Sequence, residues 1–243
     1  MPRIKIFVID HRDGDAQPYG EIIEPRYVEG PSVDPDFNLG PEYTDYNALW
    51  EIWHLQEPPD IVGFFGYRKY LLGPLADPTG WTWPAHAPHW LSCSKEHFYE
   101  YRRSLVHWDG SELLPLLAQH DIIQAPPFPL DVPWLTDFAR SRSREDAHTI
   151  CDVLIDHCLP ETARRIYPYL FITRWSVFDR MMREIEPLRL KLHGKCVGAD
   201  SNNADYKKRP MAYVMERVYS LWLENSGLSI KELPLLHCWE MQT

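Results

Sequence analysis

The stretch Ile61–Phe65, IVGFF, constrains this chain more than any other, because it is apolar at every position except one glycine. A strand with one wet face alternates apolar and polar residues, whereas an uninterrupted apolar run has to be covered on both faces. It therefore belongs in the middle of a sheet with other elements packed above and below. Upstream, YTDYNALWEIWHLQ (residues 43–56) places Tyr46, Leu49, Trp50 and Trp53 at i, i+3, i+4 and i+7. That is the spacing of an amphipathic helix, opened by Gly40-Pro41 and stopped before Pro58-Pro59. A helix and a strand joined so closely suggest a right-handed β-α-β crossover whose first strand is Ile4–Asp10, IKIFVID.

Residues 20–41 are rich in proline and lack periodicity, which predicts a long surface loop; residues 73–92, rich in Pro, Trp and His, predict an elaborated loop over the strand ends. Further on, KEHFYEYRRSLVHW and GSELLPLLAQ are expected to be short helices and HDIIQAP a strand halted by prolines. SREDAHTICDVLIDHCLPE predicts a helix capped by Ser143, with Ile150, Val153, Leu154 and His157 on one face. YPYLFITRW predicts a strand and SVFDRMMREIEPLRLKLHG a helix. In the clearest helix of all, Met211, Val214, Met215, Val218, Leu221 and Trp222 trace one stripe, and Glu216 falls nearly opposite it. The alternation predicts one α/β domain over residues 1–243, a mostly parallel sheet flanked by helices. Hydrophobic residues at 44%, with ten Trp, can supply both layers of core.

Lys and Arg number 25 against 35 Asp and Glu, a formal net charge of −10, which argues against a general nucleic-acid binder that gains by counterion release. A local basic cluster can still hold a small anion. The five cysteines form no CxxC pair, so neither a disulfide scaffold nor a structural zinc site is expected. The opening MPRIKIFVID lacks the pattern of a signal peptide, and no run approaches the ~18 apolar residues of a membrane span. A reduced, cytoplasmic protein with at most peripheral membrane contact is expected.

Open α/β sheets bind ligands at the carboxyl ends of their strands. That rule collects Asp10 and His11, then Tyr67, Arg68, Lys69 and Tyr70, and also Asp121 near the third strand. A guanidinium beside a lysine suits a diphosphate, because bidentate bonds add direction to charge attraction. A solvated strand end whose phenols pack on the core would carry the same residues. Asp13–Asp15, D-G-D, can hold Mg²⁺ or Mn²⁺ but is equally an ordinary turn. Asp152 and Asp156, with His148 one turn before Asp152, have the spacing of an acid–base or metal cluster and equally of a charged helix face. No GxGxxG, P-loop, GxSxG or HExxH motif is present.

The segment DYNALWEIWHLQEPPDIVGFFGYRKYL resembles a helix-and-strand pair of a bacterial polysaccharide-synthesis family, once labelled only a domain of unknown function, in which the strand ends in H-Y-R-R-Y. KIFVIDH, HDIIQAP, AHTICDVLIDHCLP, YPYLFITRWSVFDRMMREI and KKRPMAYVMERVYSLWL are similar to further elements of that family, in the same order and over nearly the whole chain. The family's assigned members are galactofuranosyltransferases, acting on UDP-sugars through a sheet related to the A-type glycosyltransferase fold. The resemblance implies roles for Asp45, Tyr67, Arg68, Tyr70, Asp121, His148, Asp152, Arg209, Glu216 and Arg217. Four positions depart from it: Gly66 replaces the histidine, Lys69 the second arginine, and Tyr169-Leu170 an Asn-Met pair.

The function so implied is sugar transfer from a nucleotide-sugar donor to a glycan or lipid-linked glycan acceptor. Arg68 and Lys69, aided by Arg209 or Arg217, would neutralise the leaving diphosphate. If the anomeric configuration inverts, a carboxylate must take the acceptor's proton, and Asp121, Asp152 and Glu216 are the candidates. A divalent metal, Mn²⁺ or Mg²⁺, stays open as a cofactor, since the basic YRKY cluster could replace it. A catalytically inactive nucleotide-sugar or glycan-binding protein and a nucleotidyltransferase are the alternatives.

Overall fold

The computed structural model describes residues 2–10, 23–27, 39–40, 43–66, 69–73, 90–94, 96, 98, 110–157, 159 and 163–238. The strands are β1 (Ile4–Asp10), β2 (Ile23–Tyr27), β3 (Ile61–Gly66), β4 (Lys69–Leu71), β5 (Trp90–Ser92), β6 (Ile122–Gln124), β7 (Phe128–Pro129), β8 (Arg165–Ile166), β9 (Phe171–Arg174), β10 (Ile230–Glu232) and β11 (Leu235–His237). The helices are α1 (Asp45–Trp53), α2 (Gly110–Gln119), α3 (Trp134–Ser141), α4 (Arg144–Asp156), α5 (Trp175–Leu192), α6 (Ala204–Lys208) and α7 (Pro210–Asn225).

One sheet runs in the order β10-β6-β9-β3-β4-β11-β5, and β1, with β2 outside it, covers the remaining edge of β3. β3 is thus central, as its composition demands. β1 pairs with it in parallel from Ile4↔Ile61 to Ile9↔Gly66. On its other edge lie β9, antiparallel over Ile61–Phe64, and then β4, where Lys69 pairs with Gly66. The α/β layering matches the sequence, while the sheet is mixed: β2-β1-β3, β10-β6 and β11-β5 are parallel, and β9 and β4 run against their neighbours.

Side chains alternate across the pleat and build two cores. Phe7, Ile9, Val62, Phe64 and Phe171 meet α1, α5 and α7 on one face; Ile6, Val8, Ile61, Phe65 and Ile172 meet Leu113 and Leu117 of α2 on the other. Gly63 interrupts the run for a steric reason, since a Cβ there would lie 3.0 Å from Ile172 Cγ1 and 3.1 Å from Ile6 Cγ1. Its neighbours fill the space it leaves.

Ser143 caps α4 as expected, its Oγ accepting from Asp146 N at 3.0 Å. The proline-rich span contains a strand: β2 pairs with β1 along five residues, and its Pro25 is tolerated because β2 pairs with no other described strand. α3, α6, β10 and β11, with eight, five, three and three residues, were not expected from periodicity, which such short pieces barely express. Most of residues 73–92 and of KEHFYEYRRSLVHW lie outside the described residues. Among the described residues no helix is long and apolar enough to cross a membrane.

Candidate functional site

At the carboxyl ends of β1 and β3 the sheet opens into a pocket of about 270 Å³. Ile9 and Gly66 bring the strand ends, Lys69 the start of β4, Thr44 and Asp45 the start of α1, and Tyr169 the approach to β9; Arg209, Ala212, Tyr213 and Glu216 bring the first turns of α7. α7 is buried along most of its length, and Ala212, Tyr213 and Glu216 are half-buried because the pocket lies against them. Glu216, opposite the stripe, faces the pocket rather than bulk solvent.

The rim of α1 is tightly held. Asn47 accepts from Leu39 N and donates to Gly40 O, both at 3.0 Å. Thr44, the residue before α1, has φ 41°, a left-handed conformation in which a β-branched residue is strained, and it is buried at the pocket wall. Beneath it, Arg189 grips Glu186 with Nε at 2.7 Å and Nη2 at 2.5 Å, and donates to Tyr43 Oη at 3.3 Å. Tyr43 Oη also lies 2.7 Å from His193 Nδ1, and Tyr46 donates to Glu186 at 3.3 Å. Burial opposes the Arg189 charge, but its bonds to Glu186 and Tyr43 outweigh that and hold it protonated.

Electrostatically the pocket is balanced. Burial pushes the Glu216 carboxyl above its ordinary range, Arg217 and Lys69 pull it back, and Asp45 adds to the rise. Arg217 is itself buried, 3.4 Å from Glu216 and 3.6 Å from Asp137, and burial lowers its pKa. It backs the wall rather than lining the pocket. Arg209, at the start of α7, is paired with Asp205 at 2.7 Å and lies over the Tyr213 ring at 5.6 Å.

The expected site residues therefore separate. Asp45, Lys69, Arg209 and Glu216 line one pocket, with Arg217 behind it. Asp10 ends β1 beside Ile9, while His11, Tyr67 and Arg68 lie outside the described residues, as do Asp13 and Asp15. Tyr70 points the other way, into the second core against Phe65 and Phe98 with ring centroids at 5.3 and 4.9 Å, because successive strand residues alternate. His148 and Asp152 stand on the exposed side of α4 and do not line the pocket.

Asp121, expected at a carboxyl end, precedes β6 at the opposite end of the sheet, because β6 runs in the same direction as β3 with Ile122 level with Thr173 and Val62. There it accepts from Ser229 N and Oγ, both at 2.9 Å, and faces Arg174 at 3.6 Å. The Ser229 bonds, helped by Arg174, hold its carboxyl below the ordinary range. Tyr43, Tyr169 and Tyr213 were missed as site residues; their one sequence signal is a phenol where an apolar ring would pack as well. Among the described residues no group of three or more His, Cys, Asp or Glu is arranged to hold a metal ion.

Compared with solved structures, the chain is similar to the bifunctional glycosyltransferase WbbM in its apo form, with a TM-score of 0.73 and 16% identity over 98% of this chain and 45% of that one. It thus spans less than half the length of that protein, and at this identity the likeness is one of fold. Together with the helix-flanked sheet it defines an α/β fold of the A-type glycosyltransferase kind. No family model and no curated protein matches the sequence.

Proposed function

We propose that this protein is a glycosyltransferase that moves a sugar, galactofuranose being the first candidate, from a UDP-sugar to a growing cell-surface glycan. The observation that carries this reading is Glu216: a half-buried carboxylate with a raised pKa, at the carboxyl ends of the central strands and within electrostatic reach of Lys69. A carboxylate whose pKa is raised by burial accepts a proton more readily than an ordinary one. In a single displacement Glu216 takes the acceptor hydroxyl's proton, the acceptor oxygen bonds to the anomeric carbon, and the bond from that carbon to the diphosphate oxygen breaks with its electron pair. Lys69, with Arg68 beside it in sequence, meets the charge that develops on the departing UDP. The fold shared with a bifunctional glycosyltransferase and the resemblance to galactofuranosyltransferases support the same reading.

The test is a thermal-shift screen of UDP-, GDP- and dTDP-sugars with and without Mn²⁺, followed by product analysis of whichever donor binds. A specific donor raises the melting temperature by mass action, and turnover releases UDP in a Glu216-dependent manner. Release of pyrophosphate instead would identify a nucleotidyltransferase, and tight binding without turnover a nucleotide-sugar-binding protein. No response to any nucleotide would sink the proposal.

A further inference from the structure

Four buried phenols in this fold have close polar partners. Tyr43 meets His193, Tyr46 meets Glu186, Tyr206 donates to Asp146 at 2.5 Å and Tyr219 donates to Gln124 Oε1 at 2.5 Å. Tyr169 differs from these four: it is 6% exposed, and its hydroxyl is buried with no hydrogen-bond partner among the described residues. A buried hydroxyl without a partner is a standing cost that native proteins rarely carry without cause. The ring cannot swing away freely, since it packs against Tyr219 with centroids 5.1 Å apart. Tyr169 is also a wall of the pocket, with Asp45 and Glu216 of the same pocket close enough to act on its hydroxyl.

Those two carboxylates decide what kind of group fits beside Tyr169. A phosphate pushed between them would meet like charge and bring no proton to share. A polyol would donate hydroxyl protons to the carboxylates and accept from the phenol. Among the described residues the strand end leaves room for it, because a Cβ at Gly66 would meet only Lys69 Cβ, at 3.7 Å.

We propose, resting on the glycosyltransferase reading, that the inner part of this pocket is the sugar subsite: Tyr169 Oη donates a hydrogen bond to an oxygen of the transferred sugar, Asp45 accepts from one of its hydroxyls, and the diphosphate lies outward at Lys69. Tyr169 is then a specificity-determining residue.

The test compares wild type with Tyr169→Phe, by calorimetric affinity for UDP and for UDP-hexoses, and by saturation-transfer NMR with free hexoses. The expected result is that the variant loses about five- to tenfold in affinity for the preferred UDP-hexose, keeps its affinity for UDP, loses the free-hexose signal and melts no lower than wild type. A purely structural Tyr169 would lower the melting temperature and weaken UDP and UDP-hexose alike, which overturns the proposal. So does an unchanged UDP-hexose affinity, or a wild type that gains nothing from a sugar in either arm. A free-hexose signal that Tyr169→Phe abolishes, in a protein that ignores every nucleotide, would keep the subsite and sink the nucleotide-sugar reading.

Discussion

The two ends of the sheet carry the same chemistry to opposite purposes. At the amino end of β6, Asp121 has a cation and two hydrogen-bond donors close by, and its pKa is lowered. At the carboxyl ends of β1 and β3, Glu216 has Arg217 and Lys69 near it, yet burial prevails and its pKa is raised. A carboxylate whose needs are met by the fold stabilises the fold. One that is desolvated and incompletely met is the kind of group the proposed transfer draws on, and here a phenol without a partner among the described residues lies beside it.

Turnover separates the two most sharply. Glu216→Gln should lower UDP release with acceptor by about 10²–10⁴-fold, whereas Asp121→Asn should leave it within about twofold; equal losses in steady-state assays would erase the distinction. The buried Arg189–Glu186 pair behind the start of α1 should be costly to disturb. Arg189→Met leaves Glu186 buried without its partner and should destabilise the protein by about 3–5 kcal/mol in urea unfolding. Asp121→Asn should cost only about 1 kcal/mol, since its side chain is two-fifths exposed.

The smallest effects are those of pH, and their signs oppose. Asp121 is lowered from 3.8, so its contribution is present above that value and is lost as pH falls through its native pKa. Glu216 is raised from 4.5, so its contribution is complete below that value and is lost as pH rises through its native pKa. The stability of Glu216→Gln relative to wild type should therefore improve as pH climbs from below 4.5 to neutrality, and that of Asp121→Asn should worsen from below 3.8 upward. Melting temperatures across pH 3–8 read both slopes (an interval of about one unit on either side of each transition suffices), and slopes of the same sign would contradict the contrast.

Much of the scaffold was legible in order of residues. IVGFF could be nothing but a covered strand, the stripes of α1, α4 and α7 follow from period, Ser143 announces its cap, and Glu216 stands apart from the stripe of its own helix. Local patterns of this kind are written in neighbours along the chain, so the sequence by itself determined the layers, the central strand and the residue that faces away from the core. The tertiary structure alone decided the rest. That Asp121 is satisfied depends on Ser229, 108 positions away. That Lys69 enters the pocket while Tyr70 enters the second core depends on where β4 meets β3, and that Tyr169 keeps a free hydroxyl beside Asp45 and Glu216 depends on how α1, α7 and β9 converge. Period fixes which way a side chain points along its own element; whether anything stands there to meet it is settled only when distant elements pack.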